Sequence, residues 1–107
     1  MSNKPIESIW PEEHRSFTVV ELLELSGLAE RELMRLVECG TLVPHGEYAT
    51  QWTFDVHCLT VARTARRLRD DFELDLQGLE LALTLLNRIE ELKAEIAELR
   101  ARLPHVL

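Results

Sequence analysis

No run of ~18 apolar residues occurs anywhere in the chain, so nothing in it can cross a bilayer as a helix. The opening MSNKPIESIWPEEHRS has no apolar core of the kind a secretory signal needs, and the expected address is the cytoplasm. Cysteine is scarce. Cys39 and Cys58 form no CxxC, which argues against a redox or zinc motif and reads as a reduced pair packed as small hydrophobes. Glycine is scarce too, with four residues in the chain and no P-loop, GxGxxG, GxSxG or HExxH among them. The four histidines are scattered. Cys39, His45, His57 and Cys58 have no ligand-pair spacing such as CxxC or HxxxH, so no metal or cofactor is expected. A chain of 107 residues also offers too small a core for a deep substrate pocket. An enzyme is not expected.

Positive charge is the next shortage. The formal net charge is −7. Residues 1–54 hold nine acids against four bases, and residues 55–107 ten against eight. An acidic protein repels phosphate and attracts basic partners, most strongly at low salt.

What is present is mostly helical pattern. Residues 18–40, TVVELLELSGLAERELMRLVECG, read as helix, tight turn, helix. Thr18 and Glu21 have the spacing of a capping box. Val19, Leu22, Leu23 and Leu25 supply an apolar side, and Gly27 permits the left-handed backbone that ends the helix. In the second helix Leu33, Leu36 and Val37 fall at helical spacing, and Gly40 stops it. A DNA reader would place its recognition surface on this second helix, which carries Glu30, Arg31, Glu32, Arg35 and Glu38. Three acids against two arginines match a polyanion poorly.

The period then changes. Thr41–Pro44 and Gln51–Phe54 are β-prone and flank a polar loop with a glycine, so a β-hairpin wing is expected. Trp52 and Phe54 would share one strand face and dock the wing on the helices. A third helix opens at Asp55, a good N-cap, with Phe54 and Leu59 as a hydrophobic staple. Its expected buried stripe is Val56, Leu59, Ala62, Ala65, Leu68 and Phe72. His57, in its first turn, is expected to pack or hydrogen-bond locally. Arg63, Arg66, Arg67 and Arg69 form the one basic cluster, which could meet phosphate or an acidic patch on a partner, but the favoured reading is structural, with Arg66 and Arg67 paired to Asp70 and Asp71 on the same helix. Asp75 caps a fourth helix running to Leu103, with Leu74 stapled to Leu79. From Leu85 its apolar residues are Leu85, Ile89, Leu92, Ile96, Leu99 and Leu103. That 4-3-4-3-4 spacing is a coiled-coil seam, and a homodimer is the favoured use of it. Parallel and antiparallel pairing both mix attraction with repulsion, so strand direction stays open. The expected divisions are an N-terminal arm over 1–15, a globule over 16–74 and a dimerisation helix over 75–107.

Helix-turn-helix, wing, third helix and long coil in that order resemble the MerR superfamily. The fold class expected is therefore mainly α: a MerR-like winged helix-turn-helix with a small β-hairpin wing and a long C-terminal coiled-coil helix. In the second helix, Leu33-Met34-Arg35-Leu36-Val37-Glu38-Cys39-Gly40 lacks that superfamily's paired tyrosines, and no cysteines follow the long helix to build a metal-sensor pocket. Trp52-Thr53-Phe54-Asp55-Val56-His57, then Arg66-Arg67-Leu68-Arg69, Leu74-Asp75, Gly78 and Ala82-Leu83-Thr84-Leu85, is similar to the chaperone-modulator (CbpM) family. That resemblance implies a protein that binds the J-domain of a DnaJ-like, CbpA-type cochaperone and blocks both its Hsp70 work and its DNA binding. A J-domain presents a basic helix, for which the acids Glu21, Glu24, Glu30, Glu32 and Glu38 are the candidate contacts. No direct nucleic-acid contact and no membrane are expected. Two other readings stand beside it: a MerR-like DNA-binding regulator, opposed by a wing (residues 41–54) without lysine or arginine, and a pure assembly module built on the coil.

Overall fold

The computed structural model describes residues 15–104, and the arm expected over 1–15, with Ile6, Ile9 and Trp10, lies outside them but for Arg15. The elements are β1 (Phe17–Thr18), α1 (Val19–Ser26), α2 (Glu30–Glu38), a 3-10 turn (Ala49–Gln51), β2 (Thr53–Phe54), α3 (Val56–Phe72) and α4 (Leu76–Arg102). The fold is mainly helical with one two-stranded antiparallel pairing and a long last helix.

Each helix begins where a side chain can satisfy its free N–H groups. The Glu21 N–H donates to Thr18 Oγ1 at 3.1 Å, and the Thr18 N–H donates to Glu21 Oε1 at 2.9 Å. The Cys58 N–H donates to Asp55 Oδ1 at 2.9 Å, and the Gly78 N–H donates to Asp75 Oδ1 at 2.8 Å. The α2 start differs. Ala29 has no capping side chain, so Glu32 reaches back and accepts from the Ala29 N–H at 2.9 Å. Gly27 closes α1 at φ +83°, its N–H donating to the Leu23 carbonyl at 3.0 Å. Buried Ser26 turns its hydroxyl onto the Leu28 N–H at 3.2 Å, which holds the turn into α2.

The wing is built differently from the expected hairpin. Thr41–Pro44 forms no strand. The N–H groups of Thr41 and Leu42 both donate to the Leu36 carbonyl, at 2.9 and 3.1 Å. They are used to finish α2 and cannot also serve a ladder, and Pro44 has no N–H to offer one. Leu42 drops into the core instead. The loop closes on itself only at His45 and Thr53, whose two backbone hydrogen bonds are 2.8 and 2.9 Å long. β2 takes its strand partner from ahead of α1: Phe17 lies opposite Phe54, and Thr18 opposite Thr53.

Phe17 and Phe54 are both buried, with Leu22, Leu33, Leu36 and Ala62 around them in one core. α1 packs on α3, and α4 packs on both α2 and α3. The Phe54–Leu59 staple is present with both residues buried. Trp52 meets Phe54 edge to face, with centroids 6.4 Å apart. Leu79 and Leu83 carry the first turns of α4 into the core, while every residue from Thr84 to Pro104 is exposed. The radius of gyration is 17.3 Å, against ~13 Å for a compact chain of this size. The projecting helix accounts for the excess.

Four expectations of burial fail. Cys39 is exposed: it caps α2 on the outer side, within 3.2 Å of Thr41 Oγ1. Phe72 is 67% exposed, because the last turn of α3 runs past the helices it packs on. Leu25 is exposed on α1, and His57 is exposed in the first turn of α3. Cys58 is buried as expected, and that burial pushes its thiol pKa up.

Replacing Phe54 by alanine is expected to cost about 3–5 kcal/mol, whereas Phe72→Ala is expected to stay within ~0.5 kcal/mol; urea unfolding of the two variants compares them. At neutral pH Asp55→Ala is expected to cost about 1 kcal/mol. The Cys58 N–H holds the Asp55 carboxyl below its ordinary value. A depressed folded-state pKa contributes stability above the unfolded value of ~3.9, and that contribution is lost as the pH falls through the folded one. The gap between Asp55→Ala and the parent is therefore expected to close in unfolding curves recorded below about pH 4.

Candidate partner-binding face

The five acids singled out by charge do not play one part. Glu21 serves the capping box of α1. Glu32 is withdrawn from solvent: Arg69 Nη1 donates to its Oε1 at 2.6 Å, and its side chain keeps 12% exposure. With the Ala29 N–H on the same oxygen, Glu32 ties the start of α2 to α3. It belongs to the scaffold in this structure. Glu24, Glu30 and Glu38 remain as exposed acids.

The two arginines of α2 also part company. Arg35 Nε donates to Glu80 Oε1 at 2.9 Å, joining α2 to the base of α4. That hydrogen bond, and then the Coulombic attraction of Glu80, raise the Arg35 pKa. Arg31 stays exposed. One of the two cations of this helix is matched by an acid and one of its three acids, Glu32, by a cation, so Glu30, Glu38 and Arg31 are the charges that α2 keeps exposed.

The basic cluster of α3 faces a similar fate. Arg66 donates to Asp70 at 3.2 Å, and Arg69 to Asp70 at 3.0 Å. Arg69 first, then Arg66, hold the Asp70 carboxyl below its usual range. Arg63 Nε donates to the Leu25 carbonyl at 3.3 Å, and Arg69 Nη2 to the Gly27 carbonyl at 3.5 Å. Cations at the C-terminal end of α1 oppose the negative end of its dipole. Two of the four arginines, Arg63 and Arg69, thus brace the helix-turn-helix, while Arg66 pairs within α3. Arg67 stays exposed.

Beside α2 lies an open cleft of about 370 Å³. Its walls are the start of α1, the first turns of α2, and the run from Ala49 to Thr53. Val19, Met34 and Trp52 are partly buried against the core, Val20 is 62% exposed, and Glu30 is the one charged residue lining it. Val20 and Met34 carried no signal in the sequence: neither belongs to a motif, and only the fold brings α1, α2 and the 49–53 segment together. The Arg35–Glu80 and Glu32–Arg69 pairs span 45 and 37 residues and were equally silent.

The six seam residues, Leu85, Ile89, Leu92, Ile96, Leu99 and Leu103, all lie along the projecting part of α4, 40–62% exposed. Among the described residues no helix crosses a membrane-sized apolar length.

A family model described as MerR HTH family regulatory protein matches residues 17–101, from β1 almost to the end of α4. The chaperone modulatory proteins CbpM of Escherichia coli and of Shigella boydii are each 40% identical to this chain over 88 residues, covering 82% of it and 87% of the relative. The match thus spans most of each relative's length. The chain belongs to the MerR HTH regulatory family and to its chaperone-modulatory CbpM branch.

Proposed function

We propose that this chain is a non-enzymatic chaperone modulator that binds the J-domain of a DnaJ-like, CbpA-type cochaperone and inhibits its Hsp70 and DNA-binding activities, acting as a cytoplasmic homodimer. One observation carries the reading. The helix that a DNA reader would lay in a groove keeps Glu30 and Glu38 exposed while Arg35 is paired to Glu80, and residues 41–54 contain Glu47 and no lysine or arginine. Arg31 is the exposed cation there against Glu30, Glu38 and Glu47, so a polyanion finds no net counter-charge. A basic helix of the J-domain type finds complementary potential, which speeds the encounter and excludes anionic competitors. Binding such a helix would hide it from Hsp70, so inhibition needs only steric and electrostatic competition. Glu21, Glu24, Glu30 and Glu38 are the acids available to this contact, and Glu32 acts through the position it gives α2.

The homodimer rests on α4. Six aliphatic side chains in a heptad stripe are 40–62% exposed, and burying the exposed part of each on a second copy would contribute on the order of 1 kcal/mol. Alternating 4-3 spacing is the pattern that knobs-into-holes packing requires.

Titration calorimetry with the isolated J-domain of a CbpA-type cochaperone is expected to show saturable binding that weakens as salt rises, with no retained complex on duplex DNA. Sharp, sequence-selective DNA binding without J-domain binding would overturn the reading. Ile89→Asp combined with Ile96→Asp is expected to yield a folded monomer by light scattering, with J-domain binding retained. Loss of J-domain binding by that monomer, with its helical content intact, would move the site from the globule to the coil.

A further inference from the structure

The cleft beside α2 has the make-up of a seat for a single apolar side chain, and its rim says which kind of chain delivers it. Its floor is Val19, Met34 and Trp52, packed on the core below. Its lip is Val20, an aliphatic residue left 62% exposed on α1. Thr18 and Thr53 line one end and belong to the β1–β2 pairing, so that end of the seat is held by backbone hydrogen bonds. Glu30 stands at the rim, one helical turn from Met34, and Glu24 stands one turn from Val20 on α1. Among the described residues no lysine or arginine lines the cleft. Thr18 Oγ1 is already occupied by the Glu21 N–H, which leaves few groups free to orient a small polar ligand.

We infer that this cleft receives an apolar residue projecting from a basic amphipathic helix, with Glu24 and Glu30 paired to lysines or arginines beside that residue. The inference rests on the J-domain reading above, and the occupant is that domain's basic helix. A helix laid in a groove is anchored by one or two side chains at helical spacing, and interface energy concentrates in such buried anchors, with the surrounding charges setting encounter and register. The two parts of the cleft therefore have separable kinetic signatures. The apolar anchor governs how long the complex lasts, and the acids govern how fast it forms.

Surface plasmon resonance of the full chain separates them, with two probes: the isolated J-domain, and a synthetic lysine/leucine amphipathic helix. Val20→Lys is expected to raise the dissociation rate of both probes by about tenfold or more at every salt concentration. Glu30→Gln is expected to slow association several-fold at low salt and to lose its effect at high salt. Val43→Lys, at a residue 66% exposed and outside the cleft, is expected to change neither rate. Because Val20 is exposed, Val20→Lys should keep the parent's helical signal and melting curve, which are recorded alongside. If the J-domain binds the parent and Val20→Lys equally, the cleft assignment is overturned while the partner reading survives. If the peptide binds in a Val20-dependent way and the J-domain does not bind, the partner reading fails and the cleft stands as a seat for basic helices. Binding of neither probe overturns both. A change of oligomeric state in Val20→Lys would hand the cleft to a second copy and overturn the assignment.

Discussion

Phe54 sits where three packing decisions meet. Its backbone pairs with Phe17 ahead of α1, its side chain is fully buried, and it is stapled over the first turn of α3 through Leu59. A loop of some fourteen residues after α2 could otherwise wander. The pairing brings it back across the mouth of α1, and the buried ring keeps it there. Without that anchor Trp52 and the 49–53 segment would have no fixed place, and the cleft beside α2 would lose a wall. The arrangement is economical, since two residues in each strand hold both the wing and the α1 entrance.

Charge then divides into two populations. One is paired and balanced: Glu32 with Arg69, Arg35 with Glu80, Arg66 with Asp70. These pairs join helices or brace a turn, and the exposed ones contribute little to stability on their own. Glu32 with Arg69 is the most sheltered of them and also satisfies the orphan Ala29 N–H, so it sets how α2 begins. The other population is external and negative. Each pair removes one acid with each arginine, so the exposed charge of the helix-turn-helix keeps the acidic sign of its composition.

α4 links globule and coil in one continuous helix. Its first turns are part of the core through Leu79 and Leu83, and Glu80 grips Arg35 on α2. A movement of the projecting end is therefore coupled by rigid backbone to the helix that carries Glu30. The exposed apolar stripe from Leu85 lies beyond the core contacts of Leu79 and Leu83.

Much of this was legible in the sequence because it is local. Caps at Thr18, Asp55 and Asp75, the turn at Gly27 and the seam from Leu85 to Leu103 all follow from residues within a few positions of each other, where side chain and backbone meet directly. The resemblance carried by Trp52–His57 and the tract after it led to the right family. What depended on distant residues was not legible. Thr41–Pro44 has the composition of a strand, but its N–H groups were claimed by Leu36. Phe72 falls on the apolar stripe of α3, but nothing lies opposite it. Glu32 looked like any exposed acid until Arg69, 37 residues on, closed over it. Short-range hydrogen bonding and helical period are properties of the chain itself; strand partner, ion-pair partner and the cleft at Val20, Met34 and Trp52 exist only once separate elements are brought together, and the tertiary structure alone decided them.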